Sequence, residues 1–483
     1  MSIAIHWFRR DLRLTDNTAL NAAAQSDQIL PVYIPSDWQR HHHWCGPHRQ
    51  AFLAGSLKSL HRNLEAKGGR LLIRPGPAVR ALLALARETG ATEIHTNRDP
   101  DPHGRAIESE LSTQAAKNGV RVHLHQDHAI HERDAILTGE GKPYRVFTPY
   151  ARAWVKAGLS APGPTLARLH VPAEVASEPL PELSHWGLAD TAPTIEPGEA
   201  AARKRLARFL DGPVLAYGER RDLPAEDGTS RLSQDLRWGL LSIREICARL
   251  QQATSTAKSV AQKCSARTWL NELIWREFYM QVLWHAPDVL QHEYQPDTRT
   301  LAWRAHWRPE EAGAWAQDPR AKDDFDRWCR GLTGFPIVDA GMRQLATTGF
   351  MHNRVRMIVA MFLTKDLHIW WMHGESWFMR HLLDGEIASN NGGWQWSAST
   401  GTDAAPYFRI QNPWSQSKRF DASGAYIRRW IPELRDVPPS VLHEPTGFPL
   451  AKSYPVPMLA HPIARDHTLA MFQSNRQKNT EPN

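Results

Sequence analysis

Residues 93–124, EIHTNRDPDPHGRAIESELSTQAAKNGVRVHL, hold the pattern that decides the fold of the first part of the chain. Glu93–Thr96 and Val120–Leu124 predict two short strands, and Arg105–Lys117 between them has the apolar spacing of a helix. A strand, a helix and a strand in this order form a unit whose two strands run parallel. The stretch therefore predicts an α/β domain.

The same alternation extends back to the amino terminus. Further strands are predicted at Ile3–Phe8, Ile29–Ile34 and Arg70–Ile73, and further helices from Asn17, at Pro47–Lys67 and at Ala78–Thr89. We therefore expect residues 1–130 to form a Rossmann-like domain with a parallel sheet. No GxGxxG motif follows the first strand, so the dinucleotide-binding fingerprint is absent.

The composition changes after residue 130. Residues 131–198 are rich in Pro, Ala, Glu and Gly, as in APGPTLARLHVPAEVASEPLPEL, and predict a long, mostly irregular linker. Helical periodicity dominates residues 199–475, including one long helix predicted over Asn353–Trp371. The expected fold is an α/β domain joined by this linker to an all-helical domain.

Composition also bounds the function. The 483 residues carry a formal net charge of +7, which favours an anionic partner such as nucleic acid, and 20 Trp, which stack on bases or pack in cores. No run of about 18 apolar residues predicts a membrane span. The first residues lack the apolar region of a signal peptide, and the four Cys form no CxxC pair, so we expect a cytoplasmic protein.

Three motifs have the residue types of a binding site. Residues 228–233, GTSRLS, run from a turn into a helix, where Ser and Thr cap the helix and backbone N–H groups suit an anion. In WLNELIWREF, residues 269–278, Glu272 lies one helical turn from Arg276 and Asn271 one turn from Trp275. A carboxylate beside an aromatic ring can hold a base. In MHNRVRM, residues 351–357, Asn353 and Met357 share a face. An ordinary cap, an i,i+4 ion pair and a solvated basic helix start are the alternatives.

The least ordinary stretch is DGEIASNNGGWQWSASTGTD, residues 384–403. Asn390–Gly393 is expected to break the helical pattern and to adopt a tight backbone geometry. Trp394 and Trp396 follow at once, beside a polar tract. A site is a better interpretation of this crowding than a surface loop with incidental aromatic residues.

Residues 41–48, HHHWCGPH, resemble a metal cluster in composition. No second group of ligands stands at zinc spacing elsewhere, so we expect a His-rich loop before a helix and no metal site.

Together these strings resemble the photolyase/cryptochrome family and, within it, the class I cyclobutane pyrimidine dimer photolyases. The similarity begins at HWFRRDLRLTDN and continues in order through the motifs above, TGFPIVDAGMRQL and RRWIPELRDVP. It covers nearly the whole chain and is weakest over residues 160–195. The resemblance implies a monomer that binds UV-damaged DNA and repairs its cyclobutane dimers with light, by electron transfer from excited reduced FAD to the flipped-out dimer.

The resemblance further implies that the helical domain holds FAD, as FADH⁻ in the active state. The matching positions are Tyr217, Thr229, Ser230, Arg231, Leu232, Ser233, Trp269, Arg276, Asn353, Arg356, Asp384, Gly385, Glu386 and Asn390. Arg356 is expected to pair with Asp384 against the isoalloxazine, and Asn390 to face flavin N5. Plant-type cryptochromes tend to have Asp there, so Asn favours a photolyase. Glu386 stands where the family often has Asp.

Substrate and electron-relay positions follow from the same resemblance. The positions that match DNA or dimer contacts are Arg221, Glu272, Trp275, Asn353, Met357, Trp396 and Gln416. Relatives that repair (6-4) lesions have His at two of these positions, Asn353 and Met357. Glu272 is expected to hydrogen-bond the pyrimidine. Trp394, Trp371 and Trp315 match the relay triad, with Trp307 as the alternative to Trp315 because three additional residues precede Trp328.

The family also carries an antenna pigment, either 5,10-methenyltetrahydrofolate or 8-hydroxy-5-deazaflavin, against its first domain. Residues 97–105, NRDPDPHGR, align with an antenna-contacting loop. Gly104 falls where folate-binding relatives can have Glu, and the string loosely resembles the DxEPYG loop of deazaflavin-type relatives, so both pigments remain open. A photoreceptor of the same fold and a Trp-rich nucleic-acid binder without flavin are the alternative functions.

Overall fold

The computed structural model describes residues 2–36, 42–172, 174–311 and 313–480. The chain divides into two compact units. The first unit comprises Met1–Gly218, Thr229–Pro287 and Leu383–Glu386, and the second comprises Glu219–Gly228, Asp288–Leu382 and Ile387–Asn483.

The first unit contains a five-stranded parallel sheet in the order β3-β2-β1-β4-β5. Its strands are β1 Ile3–Phe8, β2 Gln28–Tyr33, β3 Leu72–Ile73, β4 Glu93–Asn97 and β5 Arg121–His125. The helices that connect them are α1 Thr18–Ala23, α2 Pro47–Glu65, α3 Ala78–Thr89 and α4 Pro102–Lys117. The predicted α/β sheet is therefore confirmed, with strand boundaries within two residues of the prediction.

Burial explains why these segments form a doubly covered sheet. β1 and β2 are nearly continuous apolar runs, and almost every residue in them is buried, as is typical of parallel strands with helices on both faces. Helix α3 buries Val79, Leu82, Leu85 and Ala86, which recur at helical spacing on one side. β5 forms the edge of the sheet, and its side chains are only partly buried.

Charged residues fill the point where the strand order reverses, beyond the carboxyl ends of β1 and β4. Arg9 pairs with Asp99 at 3.0 Å, and Arg10 pairs with Asp101 at 2.8 Å. In open α/β sheets this crevice is the usual ligand site. Here the side chains of the protein itself occupy it, in keeping with the missing phosphate-binding glycines.

Residues 131–198 contain one helix that the sequence analysis did not predict, α5 at Phe147–Lys156, and a 3₁₀ turn at Leu183–Trp186. The buried side of α5 includes Phe147, Tyr150 and Trp154, at helical spacing. The buried carboxylate of Glu277 accepts hydrogen bonds from Trp154 Nε1 and from the backbone N–H of Ile130, both at 2.7 Å.

Helices make up the remainder of the first unit. They are α6 Glu199–Leu210, α8 Ser233–Arg237, α9 Ile243–Ser255 and α10 Val260–His285, and a short helix, α7 Tyr217–Arg220, begins in the first unit and ends in the second. Arg244 of α9 pairs with Asp16 at 3.0 Å and with Asp127 at 2.7 Å. These buried ion pairs join α9 to the sheet.

The second unit is helical. Its helices are α11 Pro319–Arg330, α12 Pro336–Thr348, α13 Asn353–Met361, α14 Trp371–His381, α15 Ile387–Ala398, α16 Pro413–Phe420, α17 Ala425–Trp430, α18 Pro439–Leu442 and α19 His461–Thr480, with a π-helical turn at Phe362–Asp366. Large aromatic side chains such as Trp328, Phe335 and Trp371 fill its core. Among the helices described, none combines the length and apolar character needed to cross a membrane.

The predicted continuous helix Asn353–Trp371 is wrong. The segment forms α13, the π-helical turn and then α14, with a break around His368. His368 has a φ of +57°, and its Nε2 lies 2.9 Å from Thr468 Oγ1 on α19. This contact with a distant helix holds a backbone conformation that apolar spacing does not reveal.

The predicted break at Asn390–Gly393 is also wrong, because these residues lie inside α15. Neither Gly392 nor Gly393 has a positive φ. Asn391 Nδ2 donates to the backbone oxygen of Val289 at 3.0 Å and to Glu375 Oε1 at 2.9 Å. These tertiary hydrogen bonds and the burial of Trp394 stabilise a helix that its own residue propensities disfavour.

The loop prediction for residues 41–48 holds for its described part: a non-helical stretch from His42 leads into α2 at Pro47. His41 lies outside the described residues.

Candidate functional site

The residues predicted to contact flavin occur in both units. Those in the first unit are Tyr217, Thr229, Ser230, Arg231, Leu232, Ser233, Trp269, Arg276, Asp384, Gly385 and Glu386, and those in the second are Asn353, Arg356 and Asn390. Each group is described within its own unit.

The segment Thr229–Leu232 is non-helical and leads into the five-residue helix α8. Arg231 has a φ of +49°, in the left-handed region that a non-glycine residue seldom adopts. The N-cap residue is Leu232, which forms no side-chain cap, so the expected capping by Ser or Thr is wrong. Strain of this kind is often found where a backbone is shaped for a ligand.

Helix α10 presents Glu272, Trp275 and Arg276 on a partly exposed side, while Trp269 is buried against Phe209 with ring centroids 5.0 Å apart. Arg276 Nη1 donates to the backbone oxygen of His128 at 2.7 Å, which fixes its guanidinium. The ring of Trp275 is stacked on Phe147, with centroids 3.7 Å apart and planes 4° from parallel. Phe278 and Tyr279 also contact the ring of Trp275, each with centroids 5.5 Å apart.

Leu383–Glu386 is a buried segment tied to the charged residues beyond the sheet. Glu386 Oε1 lies 3.4 Å from Arg10 Nη2, and the backbone oxygen of Gly385 accepts from Arg237 Nε at 2.8 Å. Burial is the largest influence on the pKa of Asp101 and raises it to about 7, with Asp99 and Glu386 adding to the rise. Glu386, one of the predicted flavin contacts, therefore has a cationic partner in Arg10.

Arg237 is a residue that the sequence analysis missed. It is desolvated, which lowers the pKa of its guanidinium to about 9, and its Nη1 is buried without a hydrogen-bond partner among the described residues. A buried donor without an acceptor is costly. The available signal was a lone basic residue in the otherwise apolar string LRWGLL, residues 236–241.

In the second unit, α15 is buried on one side and partly open on the other. The partly exposed residues are Ile387, Ser389, Asn390, Gly392, Gly393 and Trp396. Asn390 Nδ2 donates to the backbone oxygen of Glu375 at 3.1 Å, so the amide is held in place. A Cβ atom added at Gly393 would meet nothing within 4 Å. This face therefore has an oriented amide beside unfilled space, which fits a flat ring such as isoalloxazine.

Glu375 lies behind that face. Burial raises the pKa of its carboxyl to about 8, so the group is neutral at pH 7. It therefore adds no negative charge next to the open face of α15.

Helix α13 packs against α15 and carries Asn353, Arg356 and Met357 on its open side, at i, i+3 and i+4. Arg356 Nε donates to the backbone oxygen of Met351 at 2.8 Å. The Arg356–Asp384 pair stays a prediction.

The predicted relay residues lie in the second unit and follow an order of exposure: Trp394 and Trp371 are buried, and Trp315 is partly exposed. Trp371 Nε1 donates to Glu293 Oε1 at 3.1 Å. A series of ring contacts leads from Trp371 toward Trp315. The ring centroids lie 6.3 Å apart between Trp371 and Trp370, 6.5 Å between Trp370 and His373, and 4.5 Å between His373 and Trp315.

Trp307 lies 5.5 Å from Trp315, edge to face, and 6.1 Å from His373. Both candidates for the outer relay position therefore belong to one aromatic cluster.

Two further basic residues, Arg354 and Arg419, lie beside one aromatic ring in the second unit. Arg354 pairs with Asp222 at 2.8 Å, and its guanidinium lies 4.5 Å from the ring centroid of Phe420. Arg419 lies over the same ring at 5.0 Å. Gln416, on the same helix α16, is partly exposed. Cations beside an aromatic ring suit phosphate and base contacts, but nothing in their spacing set them apart in the sequence.

A pair of glycine variants tests how α14 and α15 accommodate Trp394. A Cβ at Gly374 would lie 2.1 Å from Trp394 Cη2, so Gly374→Ala should lower the free energy of unfolding by about 2 kcal/mol. Gly393→Ala, the matched control in the neighbouring helix, should leave it unchanged or raise it by up to about 1 kcal/mol. Urea unfolding of the flavin-free protein, followed by Trp fluorescence, measures both. Equal effects would contradict this packing.

Comparison with known proteins adds independent information. Residues 4–172 match the family model of DNA photolyase, and residues 269–474 match the FAD binding domain of DNA photolyase. The deoxyribodipyrimidine photo-lyases of Synechococcus sp. and Escherichia coli are each 38% identical to this chain. The alignments cover 99% of this chain and, respectively, 98% and 100% of those proteins.

Solved structures show the same similarity. A class III photolyase from Agrobacterium tumefaciens superposes with a TM-score of 0.88 at 36% identity, over 99% of this chain and 98% of that one. An archaeal photolyase from Sulfolobus tokodaii, solved with two FAD molecules, gives 0.82 at 29% identity, over 98% of this chain and 100% of that one. A Synechocystis cryptochrome gives 0.86 at 26% identity, over 98% and 99%. The chain therefore belongs to the photolyase/cryptochrome family.

Proposed function

We propose that this chain is a deoxyribodipyrimidine photolyase, a lyase that uses light to split cyclobutane pyrimidine dimers in UV-damaged DNA. The observation that carries the proposal is the open face of α15, where the oriented amide of Asn390 lies beside the unfilled space at Gly393. Relatives named for this activity, aligned over nearly their whole length, support it.

FAD is the cofactor in this proposal, and its contacts are the fourteen positions taken from the family resemblance. Bound and reduced, FAD supplies the electron that splits the dimer after light is absorbed. The residues of the chain hold the cofactor and orient it. Asn390 presents an amide fixed by the Glu375 backbone, and the neutral carboxyl of Glu375 keeps negative charge away from an electron-rich ring.

The lesion is proposed to meet Glu272 and Trp275 of α10. Phe147 covers one face of Trp275, so the ring is a rigid wall for a base. Glu272, one turn before the fixed Arg276, would hydrogen-bond the pyrimidine edge and orient the dimer against Trp275. The remaining proposed contacts are Arg221, Asn353, Met357, Trp396 and Gln416.

Cyclobutane dimers are the proposed lesion because Asn353 and Met357 stand where (6-4)-specific relatives have His. We also propose that the chain is a class I photolyase, and this rests on the motif strings alone. The fold does not distinguish the classes, because a class III photolyase has the same fold at 36% identity. A photoreceptor role is the second candidate, favoured by the cryptochrome structure, but Asn390 is the residue typical of repair.

For the antenna, we propose a deazaflavin rather than a folate. A Cβ at Gly104 would lie 2.4 Å from Asp99 Cβ and 2.5 Å from Arg9 Nη2, so a Glu of the folate-binding type does not fit there. The buried Nη1 of Arg237 offers a hydrogen bond to a ligand oxygen. The absorption spectrum of the pigment released from native protein should show a deazaflavin band; a folate band would overturn this choice.

The proposed activity has a direct assay. Purified, photoreduced protein should remove the dimer from an oligonucleotide with a single cyclobutane dimer under near-UV light and leave it in the dark. Glu272→Gln should lower repair per absorbed photon by roughly tenfold or more without loss of FAD, because an amide offers the pyrimidine edge a different pattern of hydrogen-bond donors and acceptors.

Glu132→Gln is the matched control, since Glu132 is 45% exposed in a surface pair with Arg98. Asn390→Asp, assayed alongside, tests whether the residue typical of cryptochromes reduces repair. Intact dimers after illumination of the wild-type protein would refute the function, and full activity of Glu272→Gln would remove Glu272 from the catalytic residues.

A further inference from the structure

The sheet carries a group of His and Glu side chains that the repair chemistry does not use. Glu93 and His95 alternate along β4, and His123 and His125 alternate along β5. The parallel register pairs His95 with His123, and it pairs Glu93 with Arg121 two positions earlier. Because alternate residues of a strand point to the same side, all four lie on one face of the sheet, next to its edge.

Three of these side chains bring ligand atoms close together. Glu93 Oε2 lies 3.2 Å from His95 Nε2, and Glu93 Oε1 lies 3.8 Å from His123 Nε2. One ligand atom from each of the three residues falls within 4.8 Å of the others. A tetrahedral zinc ion with bonds of about 2.0–2.1 Å separates its ligand atoms by roughly 3.3 Å, so only small rotations are needed.

His123 gives a second, independent observation. Its Nε2 is shielded from solvent and has no hydrogen-bond partner among the described residues, although the side chain as a whole is 39% exposed. A buried polar atom without a partner calls for an explanation. A cation beside Glu93 and His95 would provide one.

The neighbouring groups orient the ligands as in known metal sites. His95 Nδ1 lies 3.1 Å from His125 Nε2, so a proton on His95 Nδ1 can be donated to His125 and leave His95 Nε2 as the ligand atom. Arg121 pairs with Glu93 Oε1 and leaves Oε2 toward His95.

We propose that Glu93, His95 and His123 bind a divalent transition-metal ion of the zinc type. Two imidazoles and one carboxylate suit such an ion better than Mg²⁺ or Ca²⁺, which prefer oxygen ligands alone. Partly exposed His123 leaves the fourth position to water. The ion fastens the edge strand β5 to β4, a structural role separate from light-driven repair.

Metal binding to the flavin-containing protein, purified without a histidine tag and freed of metal by a chelator, tests the site. Zinc bound after gel filtration should reach about one ion per chain and raise the melting temperature. Co²⁺ used as a probe should give the visible bands of tetrahedral coordination, at longer wavelengths than oxidised flavin absorbs.

His123→Asn and Glu93→Gln should each weaken zinc binding by roughly 100-fold and abolish the shift in melting temperature. His61→Asn is the matched control, because His61 also pairs with a glutamate, Glu65 at 3.3 Å, but does so along helix α2 and outside the cluster. The FAD content of each variant reports that it folds. Absence of zinc binding at micromolar concentration, or unchanged affinity in His123→Asn, would overturn the proposal.

Discussion

The structure of the first unit depends on one buried carboxylate. Asp127, just after β5, accepts hydrogen bonds from Arg13 and from Arg244, each at 2.7 Å. Arg13 follows β1 and Arg244 begins α9, so three segments far apart in the sequence meet at this group. Removing one partner of such a buried pair typically costs about 3–5 kcal/mol, because the remaining charge stays buried. The pairing thus ties α9 to the sheet, and α9 packs against α10, the helix that carries Glu272 and Arg276.

Buried ion pairs and hydrogen bonds also position the residues of the candidate site. Arg10 links Asp99 and Asp101 beyond the sheet to Glu386, which lies almost four hundred positions later in the chain. Glu375 holds Asn390 through its backbone and Asn391 through its carboxyl. Arg237 Nη1 and His123 Nε2 have no such partner among the described residues, and in our proposals each of them contacts a ligand.

The sequence predicted what periodicity and residue type encode locally. The alternation of apolar strands and helices predicted the parallel sheet, and the motif strings predicted the family that the comparisons confirm. It could not predict features that depend on distant partners. The helix through Asn390–Gly393 forms because Asn391 reaches Val289 and Glu375, and the break at His368 forms because α19 supplies Thr468. The Glu93–His95–His123 cluster could not be predicted for the same reason, because the sequence of neither strand alone determines the register between β4 and β5. The individual flavin, DNA and relay residues stay predictions.

The central claim is that light absorbed by a flavin held in this chain drives the repair of cyclobutane dimers. The action spectrum of dimer repair, taken on reduced protein stripped of its antenna pigment, tests this claim most directly. Repair per incident photon should follow the absorption spectrum of the bound reduced FAD and vanish where that flavin does not absorb. Repair that fails to follow flavin absorption, or no repair at any wavelength despite bound FAD and bound DNA, would contradict it.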